Sequence, residues 1–512
     1  MLTKVYGSAV VGVHGVLVTV EVNIDRGIAY HLVGLPDSAI RESGYRISAA
    51  IKNSGFKFPG KKITVNMAPA DLKKEGASYD LTIALGVMAA SGQISSERLN
   101  DFVIMGELSL DGSINSINGV LPISLMAKRK GFKGFILPYD NGLEASLVKE
   151  LEIYPLRNLK QVIHFLKGKE SFEPFRNKLD KVQKKDLIDS DLDFADVKGQ
   201  SLVKRSMEVA AAGGHNLILI GPPGGGKTMM AKRMATILPP MNRKEMLETT
   251  KIHSVAGRIK GQKGLIWKRP FRAPHHTITK VGLAGGGVNP KPGEISLAHN
   301  GVLFMDELSE FKGRVLEVMR QPLEDRELTI SRAKIAVTYP SSFMLLASMN
   351  PGQNGYFIDY ENPETYSPLK TKRYLGKISG PLLDRIDMHI EVKPVPFEKL
   401  SDHRRGEGSK SIRERVIKAR EIQTRRFLKY GQVEYNAQMT VSQIREYCEL
   451  NEESKKLLKT AMQTLNLSAR AYDRILKVSR TIADLDGADS IFSDHITEAI
   501  QYRGLDREGW MG

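Results

Sequence analysis

The chain has 512 residues, of which 41% are hydrophobic and 26% charged, a composition that describes a soluble globular protein too long for one ordinary core. No apolar run is long enough to span a membrane, and the start, Met1-Leu2-Thr3-Lys4-Val5, lacks a signal-peptide pattern, so the expectation is a cytoplasmic protein with no membrane partner. The formal net charge of +17 favours polyanionic partners, although a solvated basic surface accounts for it equally well, and the single cysteine, Cys448, excludes an internal disulfide.

Residues 1–168 alternate strand and helix signals. Val16, Val18, Val20 and Val22 alternate with Leu17, Thr19 and Glu21, and Ile63–Met67 and Phe102–Met105 read as further strands. Tyr79–Ala90 reads as a buried helix. Residues 169–195 are charged and poor in aliphatics, as a linker would be. A nucleotide domain is expected over 196–396. Beyond it, Ile412, Val416, Ala419 and Ile422 recur at helical spacing and predict a helical bundle over 397–512.

The apolar strand Leu217–Ile220 runs into Gly221-Pro222-Pro223-Gly224-Gly225-Gly226-Lys227-Thr228 and then a helix-forming stretch. This is a P-loop in its required context: backbone N–H groups, Lys227 and the Thr228 hydroxyl suit ATP phosphates and Mg²⁺. A second strand, Gly301–Met305, ends in Asp306-Glu307, which suit the Mg²⁺ shell and the attacking water respectively. A third, Phe343–Ser348, leads to Asn350, whose amide suits the water or the γ phosphate; alone it is an ordinary turn residue. In this order the parts resemble those of AAA+ ATPases.

Longer stretches narrow the resemblance. Asp196-Val197-Lys198-Gly199-Gln200, Arg272–Thr277, Pro292–His299, Gln321–Asp325 and Gly380–Asp387 are similar to the magnesium-chelatase-like branch of AAA+ and, within it, to the ComM (YifB) family. The resemblance covers nearly the whole chain. It implies an α/β architecture: a front α+β domain like that of Lon proteases (ribosomal S5 domain 2-like), a central AAA+ P-loop domain and a C-terminal helical lid. It also implies that Val197 and Gln200 join Gly221–Thr228 in holding nucleotide.

Carried over by position, Arg385 corresponds to the arginine finger, reaching the γ phosphate held by a neighbouring subunit; the plainer reading is an ion pair with Asp384 or Asp387. Arg470 corresponds to a sensor-2 phosphate contact, with Arg474 a close rival. Arg332, with Lys334 beside it, corresponds to the pore hairpin that grips DNA, and Gly282–Ala298 to the second pore loop. The family implies a homo-oligomeric ring, typically a hexamer, acting on single-stranded and branched DNA with little sequence specificity. It further implies branch migration during natural transformation, with a recombinase as candidate partner. Lys399–Gln432 adds eleven Lys and Arg against four Asp and Glu, either a DNA-facing helix or a merely soluble one.

Two features depart from related patterns. Residues 72–92 resemble the Lon nucleophile region with Ser78 at the serine position, and Gly106–Gly112 also matches Lon and fixes the register, but the base lysine position holds Leu121, so proteolysis is not expected. Paired cysteines found in many ComM proteins are missing from Asn350–Gly355 and Glu364–Pro368, so no zinc is expected. An ATPase subunit of a magnesium-chelatase-like or protein-remodelling complex is the alternative function.

Overall fold

A computed structural model describes residues 2–176, 192–259, 264–332, 336–350, 378–396, 405–431, 433–465 and 467–503. The chain divides into two compact units, Met1–Asp186 with Asn242–Trp267, and Leu187–Met241 with Lys268–Gly512.

The first unit is built on a seven-stranded mixed sheet in the order Ala29–Val33, Lys62–Ala68, His14–Asp25, Leu2–Val11, Phe102–Ile104, Gly134–Pro138, Glu152–Leu156. The alternation at Val18, Val20 and Val22 turns each of these side chains inward, and Ile63, Val65 and Met67 do the same on the antiparallel neighbour. The predicted helix starts slightly later, at Asp80–Ala90, and every one of its residues is buried. It therefore lacks the polar face of a surface helix.

Residues 242–267 were expected inside the nucleotide domain and instead complete this first unit. Asn242 and Glu245 form a reciprocal cap that starts the helix Arg243–Val255, whose buried residues include Thr249, Thr250, Ile252 and Ser254. The end of that helix is tied down by polar contacts. The Gly119 N–H donates to the Ser254 carbonyl (3.2 Å), and the Ser254 hydroxyl donates to Glu144 (2.5 Å). Glu144 also accepts from the Leu121 N–H (2.8 Å), and burial pushes its carboxyl up to about 7.

The second unit contains a five-stranded parallel sheet in the order Phe271–Arg272, Val302–Met305, Met344–Met349, Leu217–Ile220, Met388–Glu391. Both faces are covered. Leu217, Leu219, Val302, Phe304 and Leu346 enter one apolar cluster, while Ile218, Ile220, Leu303, Met305 and Leu345 enter another. The expected bundle is present as the helices Ser409–Phe427, Val441–Tyr447, Glu452–Thr464, Ala469–Leu485 and Ser493–Gln501. It is not a separate body: Ile412, Val416, Ala419, Ile475 and Ile482 share the cluster that covers the P-loop strand.

Most of the expected linker lies outside the described residues, as do the lid's first residues and the stretch following Asn350 that bears on zinc.

Candidate nucleotide site

The strand Leu217–Ile220 comes first in this sheet along the chain and lies between the strands Met344–Met349 and Met388–Glu391, so strand order reverses beside it. Ligands of open parallel sheets bind at such a point, outside the carboxyl ends of the strands. The P-loop occupies that place. Gly224 and Gly226 have φ of +81° and +80°, which side-chain-bearing residues rarely adopt. Gly221 is fixed by crowding, since a Cβ there would stand 2.2 Å from the Val392 carbonyl oxygen.

Lys227, at the start of the helix Lys227–Ile237, folds its ammonium back onto the loop. It donates to the carbonyls of Gly221 (2.7 Å) and Pro222 (2.8 Å) and to Asn350 Oδ1 (3.0 Å). Burial lowers its pKa, with Asp306 and Glu307 opposing the shift. Three acceptors thus surround the cation where phosphate oxygens would otherwise meet it. The residues present fit a nucleotide triphosphate tail.

The metal-side groups converge as the spacing implied. The Thr228 hydroxyl donates to Asp306 Oδ2 (2.8 Å). The other Asp306 oxygen accepts from Ser348, and Ser348 Oγ accepts from the Glu307 N–H (3.2 Å). A hydroxyl and a carboxylate in contact beside a P-loop lysine are the donor set that suits Mg²⁺. Glu307 itself is held at φ +54°, half exposed, with His276 Nδ1 3.8 Å from its carboxylate. Sequence reasoning assigned no role to Ser348; the signal for it was its place two residues before Asn350.

Gln200 reaches the same end of the sheet. Its Nε2 donates to the Lys393 carbonyl (2.6 Å), just past the strand Met388–Glu391, whose extension Val392 donates to Ile220 (2.6 Å). Val197 is buried.

Arg385 and Arg470 lie elsewhere. Arg385 stands just before the strand Met388–Glu391, at the amino-terminal edge of the sheet, where its carbonyl accepts from the Asn216 side chain (3.2 Å). It is only 7% exposed and forms an ion pair with Glu324, not with Asp384 or Asp387. Arg474 is committed to Asp387 and to the Arg385 carbonyl (3.1 Å), whereas Arg470 is 57% exposed and 3.8 Å from Asp384. The two rivals at the helix Ala469–Leu485 are therefore distinguishable by exposure. Neither joins the P-loop of its own chain.

Arg332 is exposed, at the end of a ribbon formed by Glu327–Ser331 and Ala336–Pro340; Lys334 lies outside the described residues. This ribbon lies against the segment carrying Gly285–Gly286 and Lys291–Pro292, with the Tyr339 hydroxyl donating to the Pro290 carbonyl (2.6 Å). In the basic stretch 399–432, Arg415 pairs with Glu208 and Glu407, Arg420 donates to the Ala211 carbonyl, and Arg426 pairs with Asp484. Much of that charge holds helices together. Ser78 sits in the short turn Ala77–Tyr79, and Leu121 is fully buried.

Comparison with known proteins matches three stretches of the chain, the central one running through residues 242–267 of the first unit. Residues 193–400 match the family model described as magnesium chelatase, subunit ChlI, residues 20–141 that for subunit ChlI of Mg-chelatase, and residues 406–503 that for the ChlI C-terminal region. The competence protein ComM of Haemophilus influenzae is 44% identical over 510 residues, 99% of this chain and 98% of that protein. The chain belongs to the ComM/YifB family. The YifB protein of Salmonella typhimurium is 42% identical over 99% of this chain and 98% of its own length. An archaeal Lon protease of Methanocaldococcus jannaschii is 25% identical over 174 residues, 31% of this chain and 26% of that protein. The front domain of this ComM/YifB chain is thus itself matched by a chelatase description. No helix among the described residues is long and apolar enough to cross a membrane.

Proposed function

We propose that the chain is an ATP-hydrolysing AAA+ motor that works as a homo-oligomeric ring on DNA, a branch-migration helicase of ComM type serving recombination during natural transformation. The observation that supports it most is the separation of Lys227 and Arg385 at opposite ends of one parallel sheet. A chain built this way holds phosphates at one end and offers the arginine finger at the other. Head-to-tail copies then complete each other's sites, and such contacts close into rings.

Within one site, Lys227 and the loop N–H groups bind and orient the phosphates. Asp306, held by Thr228 and Ser348, offers its oxygens to Mg²⁺, which when bound neutralises phosphate charge. Glu307 orients the attacking water and takes its proton, and Asn350 steadies the same region from the neighbouring strand. Arg385, and Arg470 beside it, reach the phosphates of the adjoining copy once Arg385 leaves Glu324. Arg332, with Lys334, contributes the DNA grip through phosphate contacts that position without reading sequence.

The relative named as a competence protein supports the biological setting. The alternative, a chelatase-type or protein-remodelling motor, is favoured by the descriptions of the matched family models. Strand exchange on a synthetic four-way DNA junction tests the choice, comparing the natural chain with Lys227→Ala and Glu307→Gln. ATP-dependent resolution into duplexes, lost in both variants, is the expected result. ATP hydrolysis that DNA neither stimulates nor couples to strand movement overturns the DNA reading and returns the alternative.

A further inference from the structure

A cavity of about 370 Å³ opens in the second unit beside Asn216, Phe343 and Asp387, the residues that lead into three strands of the parallel sheet. It therefore lies at the amino-terminal edge of the sheet, away from the chain's own P-loop. Four cations line it. Arg470, Arg474 and Lys477 come from one helix, Ala469–Leu485, at the spacing that puts them on a single face; Arg326 comes from the wall formed by the end of the helix Arg320–Asp325.

Two of these cations lack a counter-charge. Among the described residues, no carboxylate lies within ion-pair distance of Arg326 or Lys477. Both instead donate to one shared carbonyl, that of Ala437, at 3.3 and 3.2 Å. Three carboxylates also line the cavity: Asp387 is taken by Arg474 and by the Asn216 N–H (2.8 Å), Glu324 by Arg385, and Asp473 stands at ion-pair distance from none of the four cations. Burial lowers Lys477 to about 8, with Arg474 and Arg326 adding to the shift and Asp387 opposing it. Burial likewise lowers Arg326. Arg326 and Lys477, neither with a carboxylate at ion-pair distance among the described residues, raise each other's energy, and an anion entering between them relieves it.

The backbone at Arg326 adds an independent sign. It ends the helix in the left-handed region, φ +57°, where glycine or asparagine costs least. An arginine held there keeps its side chain at the cavity against a backbone cost.

We infer that this cavity is a phosphate-binding site, taking a small anion such as inorganic phosphate or pyrophosphate from solution between Arg326 on one wall and Lys477 and Arg474 on the other. The tetrahedral oxygens of a phosphate meet donors arriving from two walls at once, which the single plane of a carboxylate does not. The inference stands on the cavity's chemistry and does not depend on the DNA reading.

The test uses the full chain carrying Lys227→Ala, which silences the P-loop in every copy, and calorimetric titration with pyrophosphate, inorganic phosphate and acetate. The expected result is saturable binding of the phosphate species, at least tenfold weaker when Lys477→Met or Arg326→Gln is added and largely kept in Lys477→Arg. Thermal unfolding of each variant separates lost binding from lost fold. No saturable binding to the Lys227→Ala chain, binding undiminished in a folded Lys477→Met or Arg326→Gln variant, or acetate binding as tightly as phosphate overturns the inference.

Discussion

The guanidinium of Arg385 is buried against the carboxylate of Glu324, a partner that neither neighbouring aspartate provides. Glu324 is half exposed, so the pair forms a latch with one side open to solvent. On the proposed reading, the arginine that would serve an adjoining copy is restrained in the isolated chain. If copies assemble as proposed, Arg385→Ala is expected to lower kcat for ATP by about 10³-fold or more. Glu324→Gln is expected to act in the other direction on basal turnover, raising it severalfold by releasing the restraint. Steady-state hydrolysis at matched oligomer concentration checks both.

Ser348 bridges the two acidic residues, donating to Asp306 and accepting from the Glu307 N–H. Ser348→Ala leaves Asp306 without that donor and Glu307 without that acceptor. The expected loss is about tenfold in kcat, with a smaller change in KM, because orientation and not nucleotide contact is removed. Single-turnover and steady-state assays together read the split.

Gly221 has no room for a methyl group beside the Val392 carbonyl. Gly221→Ala is therefore expected to displace the strand ends that frame the P-loop, to cost about 1–3 kcal/mol of stability and to abolish nucleotide binding. Denaturant unfolding and fluorescent-nucleotide titration measure the two effects. Gly313, where a Cβ meets open space, serves as the control position for glycine replacement.

Glu144 gives the front unit a pH-dependent stability. Its carboxyl rises from an ordinary 4.5 to about 7 in the fold, chiefly through burial, so between those values the folded state binds more proton than the unfolded one. Stability is then greatest below the unfolded value, falls as pH rises towards about 7 and stays at the lower level beyond. The span corresponds to about 3 kcal/mol. Glu144→Gln keeps an acceptor for Leu121 and Ser254 and is expected to flatten that slope. Urea unfolding of the natural chain and the variant at pH 5 and pH 8 gives the comparison.

The nucleotide site was largely legible because each of its parts ends a strand. Gly221–Thr228, Asp306-Glu307 and Asn350 follow apolar runs, and the parallel register carries all three strands to one edge. Ser348 was hidden by its ordinary place within a strand, since its role depends on which strands are neighbours. Glu324 was hidden because the pairing of Arg385 crosses between segments that no local pattern connects. The charge run around the helix Ser409–Phe427 did not reveal its own pairing: Arg415 meets Glu407 nearby but also Glu208, and Arg426 meets Asp484, both far away in sequence. The helix Arg243–Val255 carries its capping signal openly, yet nothing in its residues names the core it joins.

That last helix sets an order of events during synthesis. The front unit lacks its final piece until residue 267 has been made, by which time the P-loop strand and its helix have already been produced. At ordinary translation speeds the wait between residues 176 and 267 lasts roughly 5–20 s. Throughout that interval the helix Val120–Arg129 has no covering partner from Arg243–Val255, so the growing chain carries an unfinished apolar surface while its next domain begins to fold.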